Sequence, residues 1–191
     1  MIDDGIDYPK ETSIRLIIYH ALKDFSDDIL INLLSDSNVL VRSEASRQLQ
    51  LRGTSEHLSK IIELSHSNSD MIREITAYTL SQYGKSKGMP LKNIIAPVLL
   101  EMTDDSFAEV RSLAVQGLGN CSVDGMDDVI EEKILSMVKD PDSGVRECVA
   151  FALHNSSGSE RVQKKLEKLK RDANDDVVDY AVMAEELLKE K

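Results

Sequence analysis

Apolar residues recur along this chain at the three-and-four spacing of amphipathic helices, with no strand-like alternation between them. The runs are Ile29-Leu30-Leu33-Leu34, Leu58-Ile61-Ile62, Ile94-Ile95-Val98-Leu99-Met102, Val129-Ile130-Ile134-Leu135-Val138 and Val162-Leu166-Leu169. A short polar turn follows each run, and then a recurring signature. It reads Val41-Arg42-Ser-Glu-Ala45, Ile72-Arg73-Glu-Ile-Thr76, Val110-Arg111-Ser-Leu-Ala114 and Val145-Arg146-Glu-Cys-Val149, and degenerates to Val177-Val178-Asp-Tyr-Ala181. Ile14-Arg15, followed by Ile18 and Leu22, reads as a half-repeat at the start. The second positions of successive signatures lie 27, 31, 38, 35 and 32 residues apart. Periods of that size belong to stacked helix pairs, so the expected fold is all-α, a right-handed α-solenoid of about five repeats. Residues 1–10 are expected to be a flexible N-terminus and 11–191 a single solenoid.

Each second helix is expected to begin at the Val or Ile of its signature. Its inward face is expected at positions one before and two, three, six and seven after the Arg, filled by Ala45, Leu49, Ala114, Leu118, Val149, Ala152 and Leu153. Gly53, Gly84 and Gly119 stand where helices should end. The longer connections are expected at 85–90, 120–128 and 155–160. Asp36, Asp105, Asp140 and Asp172 each stand six residues before the second signature position. An Asp there either caps the second helix or accepts from turn amides.

The D-x(4)-V-R pattern over residues 12–188 resembles the short form of the HEAT repeat. That resemblance implies that the Asp and Arg hold neighbouring repeats together, which makes Asp36, Arg42, Arg73, Asp105, Arg111, Asp140 and Arg146 structural candidates. Ser67 replaces the Asp in one repeat and Val178 replaces the Arg in the last. A narrower likeness covers residues 29–155. Leu33-Leu34-Ser-Asp36, Leu49-Gln50-Leu51-Arg52-Gly53, Arg73-Glu-Ile-Thr-Ala77-Tyr-Thr-Leu80 and Val145-Arg-Glu-Cys-Val-Ala-Phe151 are similar to bacterial HEAT-repeat proteins associated with Rhs-type toxins. This resemblance implies an immunity protein that binds a cognate toxin domain.

Charge narrows the partners. Lys+Arg number 23 against 34 Asp+Glu, a net charge of −11. That sign opposes a phosphate backbone and favours a basic protein or simple solubility. Aromatics make up 4% of the chain and there is no Trp, which disfavours the alkyl-purine glycosylases that share HEAT-like folds. Arg161, Lys164, Lys165, Lys168, Lys170 and Arg171 interleave with Glu160 and Glu167 and read as a solvated outer face. Cys121 and Cys148 make no metal-ligand spacing and read as reduced core thiols. Asn120-Cys-Ser122 and Asn155-Ser-Ser157 match the glycosylation sequon, and without a secretory signal they read as chance. No apolar run reaches the roughly 18 residues needed to cross a bilayer. A cytoplasmic protein is expected, with no membrane or nucleic-acid partner.

Candidate chemistry is sparse. His20, His57, His66 and His154 are scattered, and none precedes a Glu as the paired His-Glu steps of a HEAT-type hydroxylase require. Asp140-Pro-Asp142-Ser-Gly144 lacks the twelfth-position Glu of a calcium loop, where Phe151 stands instead. No catalytic residue, metal or cofactor is assigned. Binding remains. On second helices lining a concave face, positions one, five and eight after the Arg form one exposed stripe. It carries Arg47, Glu74, Tyr78, Ser112, Gln116, Glu147, Phe151, His154, Asp179 and Met183. An apolar row with an acidic border suits a basic protein, such as the toxin domain that the narrower resemblance implies. The alternatives are a general scaffold for an endogenous complex and, less favoured, a HEAT-like lyase.

Overall fold

The computed structural model describes residues 8–83, 92–122 and 127–190, with side chains from Thr12 onward. Among them there are eleven α-helices and no strand. A lone helix α1 (Tyr8–Leu22) is followed by five pairs. These are α2 (Asp27–Leu33) with α3 (Val39–Arg52), α4 (Leu58–Glu63) with α5 (Asp70–Gln82), α6 (Lys92–Met102) with α7 (Ala108–Cys121), α8 (Asp128–Ser136) with α9 (Ser143–Ala152), and α10 (Glu160–Leu169) with α11 (Asp175–Lys189). Each first helix packs on its own second helix, and α1, α3, α5, α7, α9 and α11 pack successively against one another. One apolar core runs through the stack, from Leu22 and Leu30 to Ala181 and Ala184.

Every second helix starts two residues earlier than the signature suggests, at Val39, Asp70, Ala108, Ser143 and Asp175. The cap is therefore the residue four before the Arg position. Asn38, Asp142 and Asn174 fill it and accept from Leu40, Val145 and Val177 amides. The aspartates six before the Arg position instead take the amide two residues ahead. Asp36, Asp105, Asp140 and Asp172 accept from the amides of Asn38, Phe107, Asp142 and Asn174. The choice between cap and turn acceptor thus falls to the turn.

The inward face is also wider than the five positions expected from spacing. Position four after the Arg is fully buried in four repeats, as Ser46, Ala77, Val115 and Ala150. The cause is that a second helix is sandwiched between its neighbours as well as resting on its first helix. Conversely Ile29, Ile94 and Val129, assigned to the apolar faces by spacing, are exposed. Gly53 ends α3 in the left-handed conformation, with φ of 52°. Gly119 does not end a helix. It lies within α7, where an added Cβ would stand 3.0 Å from the Ala152 Cβ, so it permits close approach of α7 and α9. Gly84 falls outside the described residues.

Candidate functional site

The signature arginines build a ladder along the turn edge of the stack. Arg73 donates through Nε and Nη2 to both Asp105 carboxylate oxygens, at 2.6 and 2.9 Å. Arg111 does the same to Asp140 (2.9 and 2.8 Å), and Arg146 to Asp172 (2.7 and 2.8 Å). In each case Nη1 turns back to a carbonyl of its own turn, at Ser67, Asp105 or Asp140. One guanidinium therefore fixes its own turn and grips the next one. This fork-on-carboxylate geometry is available to Arg and not to Lys. The bonds from Arg73 and Arg146 hold the Asp105 and Asp172 carboxyls below the usual carboxylate range. At Asp140 burial pushes upward, but the Arg111 bond and the Asp142 amide outweigh it. Arg42 donates to the carbonyls of Asp36 and Ser37 in its own turn. The place of its carboxylate partner is held by Ser67, whose hydroxyl accepts the Ser69 amide.

A second set of inter-repeat bonds has no counterpart in the sequence reading. Asn120 donates its side-chain amide to the Ser81 carbonyl, and Asn155 to the Gly119 carbonyl. Each acceptor lies eight residues after a signature Arg and each donor nine, so one Asn per repeat clamps the C-terminal turn of the helix before it. The asparagines of the two sequon matches are these clamps. Asn recurring at position nine in consecutive repeats was the signal available. At the other end Arg52 closes the α1–α2 loop, donating to Phe25 and Lys23 carbonyls and to Asp27. The side chains of Cys121 and Cys148 are half-buried. Burial, followed by the charges of Glu147 and Asp142, pushes the Cys148 thiol up to about 11.

The stripe on the second helices resolves into two separate hollows. The first, of about 250 Å³, lies among α3, α5 and α7, with Glu74 and Tyr78 on α5, Val39 and Arg42 on α3, and Leu113 on α7. The second, of about 110 Å³, lies among α7, α9 and α11, with Gln116, Glu147, Cys148, Phe151 and Tyr180. Tyr78 is 39% exposed, whereas Phe151 is half-buried and meets the Tyr180 ring edge-on at 5.8 Å between centroids. Tyr180 was absent from the sequence-derived stripe because it occupies an inward register.

Burial raises the Glu74 carboxyl above its ordinary range, with Glu109 and Asp70 adding to the effect and the nearby charge of Arg42 only partly offsetting it, and burial with Asp176 raises Glu147. The remaining stripe residues do not join either hollow. Arg47 is exposed, with its guanidinium 5.8 Å from the Tyr19 ring centre. Ser112 donates to the Glu109 carbonyl, His154 Nδ1 bonds the Phe151 carbonyl at 2.6 Å, Asp179 is exposed and Met183 half-buried. Position eight does not form an exposed row, because Ser81 is buried and Gly119 is packed on Ala152. A larger, open hollow of about 670 Å³ lies on the turn edge beside the Arg146–Asp172 rung, remote from both aromatic hollows. Among the described residues, no group of three or more His, Cys, Asp or Glu is placed to hold a metal. Nor is any helix there long and apolar enough to cross a membrane.

A family model of HEAT repeats matches residues 96–185. No curated protein sequence matches the chain. Among solved structures, the chain is similar to the X-ray structure of Escherichia coli YibA, with 28% identity and a TM-score of 0.74 over 91% of this chain. It spans 63% of the length of that YibA chain. An engineered protein covers 92% of this chain, and is itself covered to 84%, at 18% identity and a TM-score of 0.62. A designed armadillo repeat protein, solved in complex with the peptide (KR)4, covers 97% and is covered to 95%, at 16% identity and a TM-score of 0.59. The chain is an all-α solenoid of stacked helix pairs, similar to HEAT and armadillo repeat proteins, and a HEAT-repeat model matches residues 96–185.

Proposed function

We propose that this chain is a non-enzymatic protein-binding solenoid and, most specifically, a cytoplasmic immunity protein that binds and neutralises a cognate toxin domain. The observation that carries the binding role is a pair of partly desolvated carboxylates, Glu74 and Glu147, set beside the aromatic walls of two hollows on one helical face. Carboxylates held at an energetic disadvantage in the free protein gain a counter-charge when a basic surface docks. The net charge of −11 adds long-range attraction to such a partner. The immunity role rests on the sequence likeness to Rhs-associated HEAT-repeat proteins. On this reading the Asp–Arg ladder keeps the face in register rather than touching the partner.

The test is to look for a toxin domain encoded by a neighbouring gene and to co-produce it with this chain. Restored growth and a one-to-one complex, with an association rate that falls as salt rises, is the expected result. Growth arrest that persists despite soluble, folded protein would sink the immunity reading. If low-salt capture instead returned a housekeeping complex in stoichiometric amount, the chain would be reassigned as a scaffold.

A further inference from the structure

The two hollows are copies of one design. In each, a Glu stands one position after the signature place and an aromatic ring five after it: Glu74 with Tyr78, and Glu147 with Phe151. In each, the next second helix closes the wall with the residue two positions after its own signature place, Leu113 in one and Tyr180 in the other. Neither Glu makes an ion pair or a side-chain hydrogen bond among the described residues, in contrast to the fully engaged ladder aspartates. Arg42 lines the first hollow and its charge partly offsets that of Glu74, but it makes no ion pair with it and its Nη1 donates to the Asp36 and Ser37 carbonyls. Between the hollows, α7 offers only Ser112 and Gln116 at the same two register positions, so the acidic sites are separated by one neutral repeat.

A half-desolvated carboxylate beside a ring and an aliphatic wall matches one kind of side chain. The stem of Arg or Lys covers apolar surface while its cationic head reaches an acid. We infer that the two hollows are subsites for two basic side chains of a single extended partner segment. This rests on the protein-binding reading above and specifies how the partner is recognised. Helices packed side by side lie about 8–10 Å apart, so α5 and α9 stand roughly 16–20 Å from each other across α7. An extended chain covers that distance in about five to six residues at roughly 3.3 Å each. Of these offsets six is the even one, which returns both side chains to the same side of the strand. The ligand chemistry is thus a protein segment with Arg or Lys at positions i and i+6.

The probes are two labelled peptides of identical composition, neutral except for two Arg residues, placed six apart in one and three apart in the other. Binding is read by fluorescence anisotropy at low ionic strength. The six-apart peptide binds about tenfold more tightly, because its second Arg engages at high effective concentration. Glu74→Gln or Glu147→Gln abolishes that difference, while Glu160→Gln on the opposite layer leaves it. Both hollow variants are expected to be at least as stable as the parent, since each removes a carboxylate that burial disfavours, so loss of binding will not reflect unfolding. Equal affinity for the two peptides, no detectable binding of either, or an equal effect from Glu160→Gln overturns the inference. Growth protection scored in parallel separates the outcomes. Protection without spacing preference removes the subsites and keeps the immunity reading, and spacing preference without protection does the reverse.

Discussion

Arg42 holds the same place in its repeat as Arg73, Arg111 and Arg146, yet Ser67 occupies the register position from which the others draw a carboxylate. Its Nη1 bonds reproduce the intra-turn half of the pattern, and the inter-turn half is missing. Ser67→Asp supplies the absent partner at a position whose hydroxyl already makes the turn bond an aspartate would make. The intact rungs are only 9–16% exposed, between a solvated surface pair and a buried one. A gain of about 1 kcal/mol is therefore expected in denaturant unfolding at neutral pH. Its pH dependence follows from the existing rungs, whose carboxyls are depressed. Such a group stabilises above its unfolded value of about 4, and the contribution disappears as pH falls through the lower folded value. The variant should thus exceed the parent at pH 7 and converge with it in acid. A gain that is unchanged at low pH, or no gain at neutral pH, would show that Arg42 does not complete a rung.

At the scale of the helix, packing distance decides more than propensity. On Gly117 a Cβ would come within 2.7 Å of Leu99 Cδ1 and 3.0 Å of the Ser81 Cα. Leu99 has a mobile tip, but the Ser81 contact is backbone, so α5 and α7 must separate. Alanine gains about 1 kcal/mol over glycine in helix propensity, whereas overpacking of this kind costs about 1–3 kcal/mol. Gly117→Ala is expected to lower the unfolding free energy by about 1 kcal/mol, and an increase in chemical stability would contradict the close approach. The same consideration explains what was legible beforehand. The repeat register and the pairing of helices follow from spacing, because a fixed period puts equivalent side chains in equivalent places, whereas the bridging role of the Asp and Arg residues is what the HEAT resemblance implies. The buried row at position four, the interior role of Gly119 and the entry of Tyr180 into a hollow follow from neither. They depend on how tightly one second helix lies on the next, and that distance is set by side chains some thirty residues away. The two hollows were foreshadowed by Glu74, Tyr78, Glu147 and Phe151, but a continuous stripe was expected where a neutral repeat divides it.

Over the whole molecule, stability is distributed as in a one-dimensional stack, since the main packing among the described residues is between neighbouring pairs. The rungs are unequal along that stack. From α5 to α11 every step has an Arg–Asp fork, and the α5–α7 and α7–α9 steps also carry an Asn clamp. The α3–α5 step lacks the fork and relies on a buried hydroxyl pair, Ser46 with Thr79 at 2.9 Å, on Gln50 donating to the Tyr78 carbonyl, and on the Tyr83 hydroxyl donating to the Thr54 carbonyl. These neutral bonds are worth less than a bidentate charged pair together with an amide clamp. In addition, α1 packs on α3 while leaving Leu16 and Ile17 exposed. Local opening should therefore begin at the α1–α3 end, with α7 and α9 the last to exchange. Amide hydrogen exchange read by mass spectrometry tests this gradient. Protection should rise from α3 to α7 by at least about tenfold, the equivalent of roughly 1.4 kcal/mol. Ser67→Asp should narrow the gap by slowing exchange in α3 and leaving α9 unchanged. Uniform protection along the stack, or a variant that slows every helix equally, would mean that the solenoid opens as a single cooperative unit and that the missing rung has no local consequence.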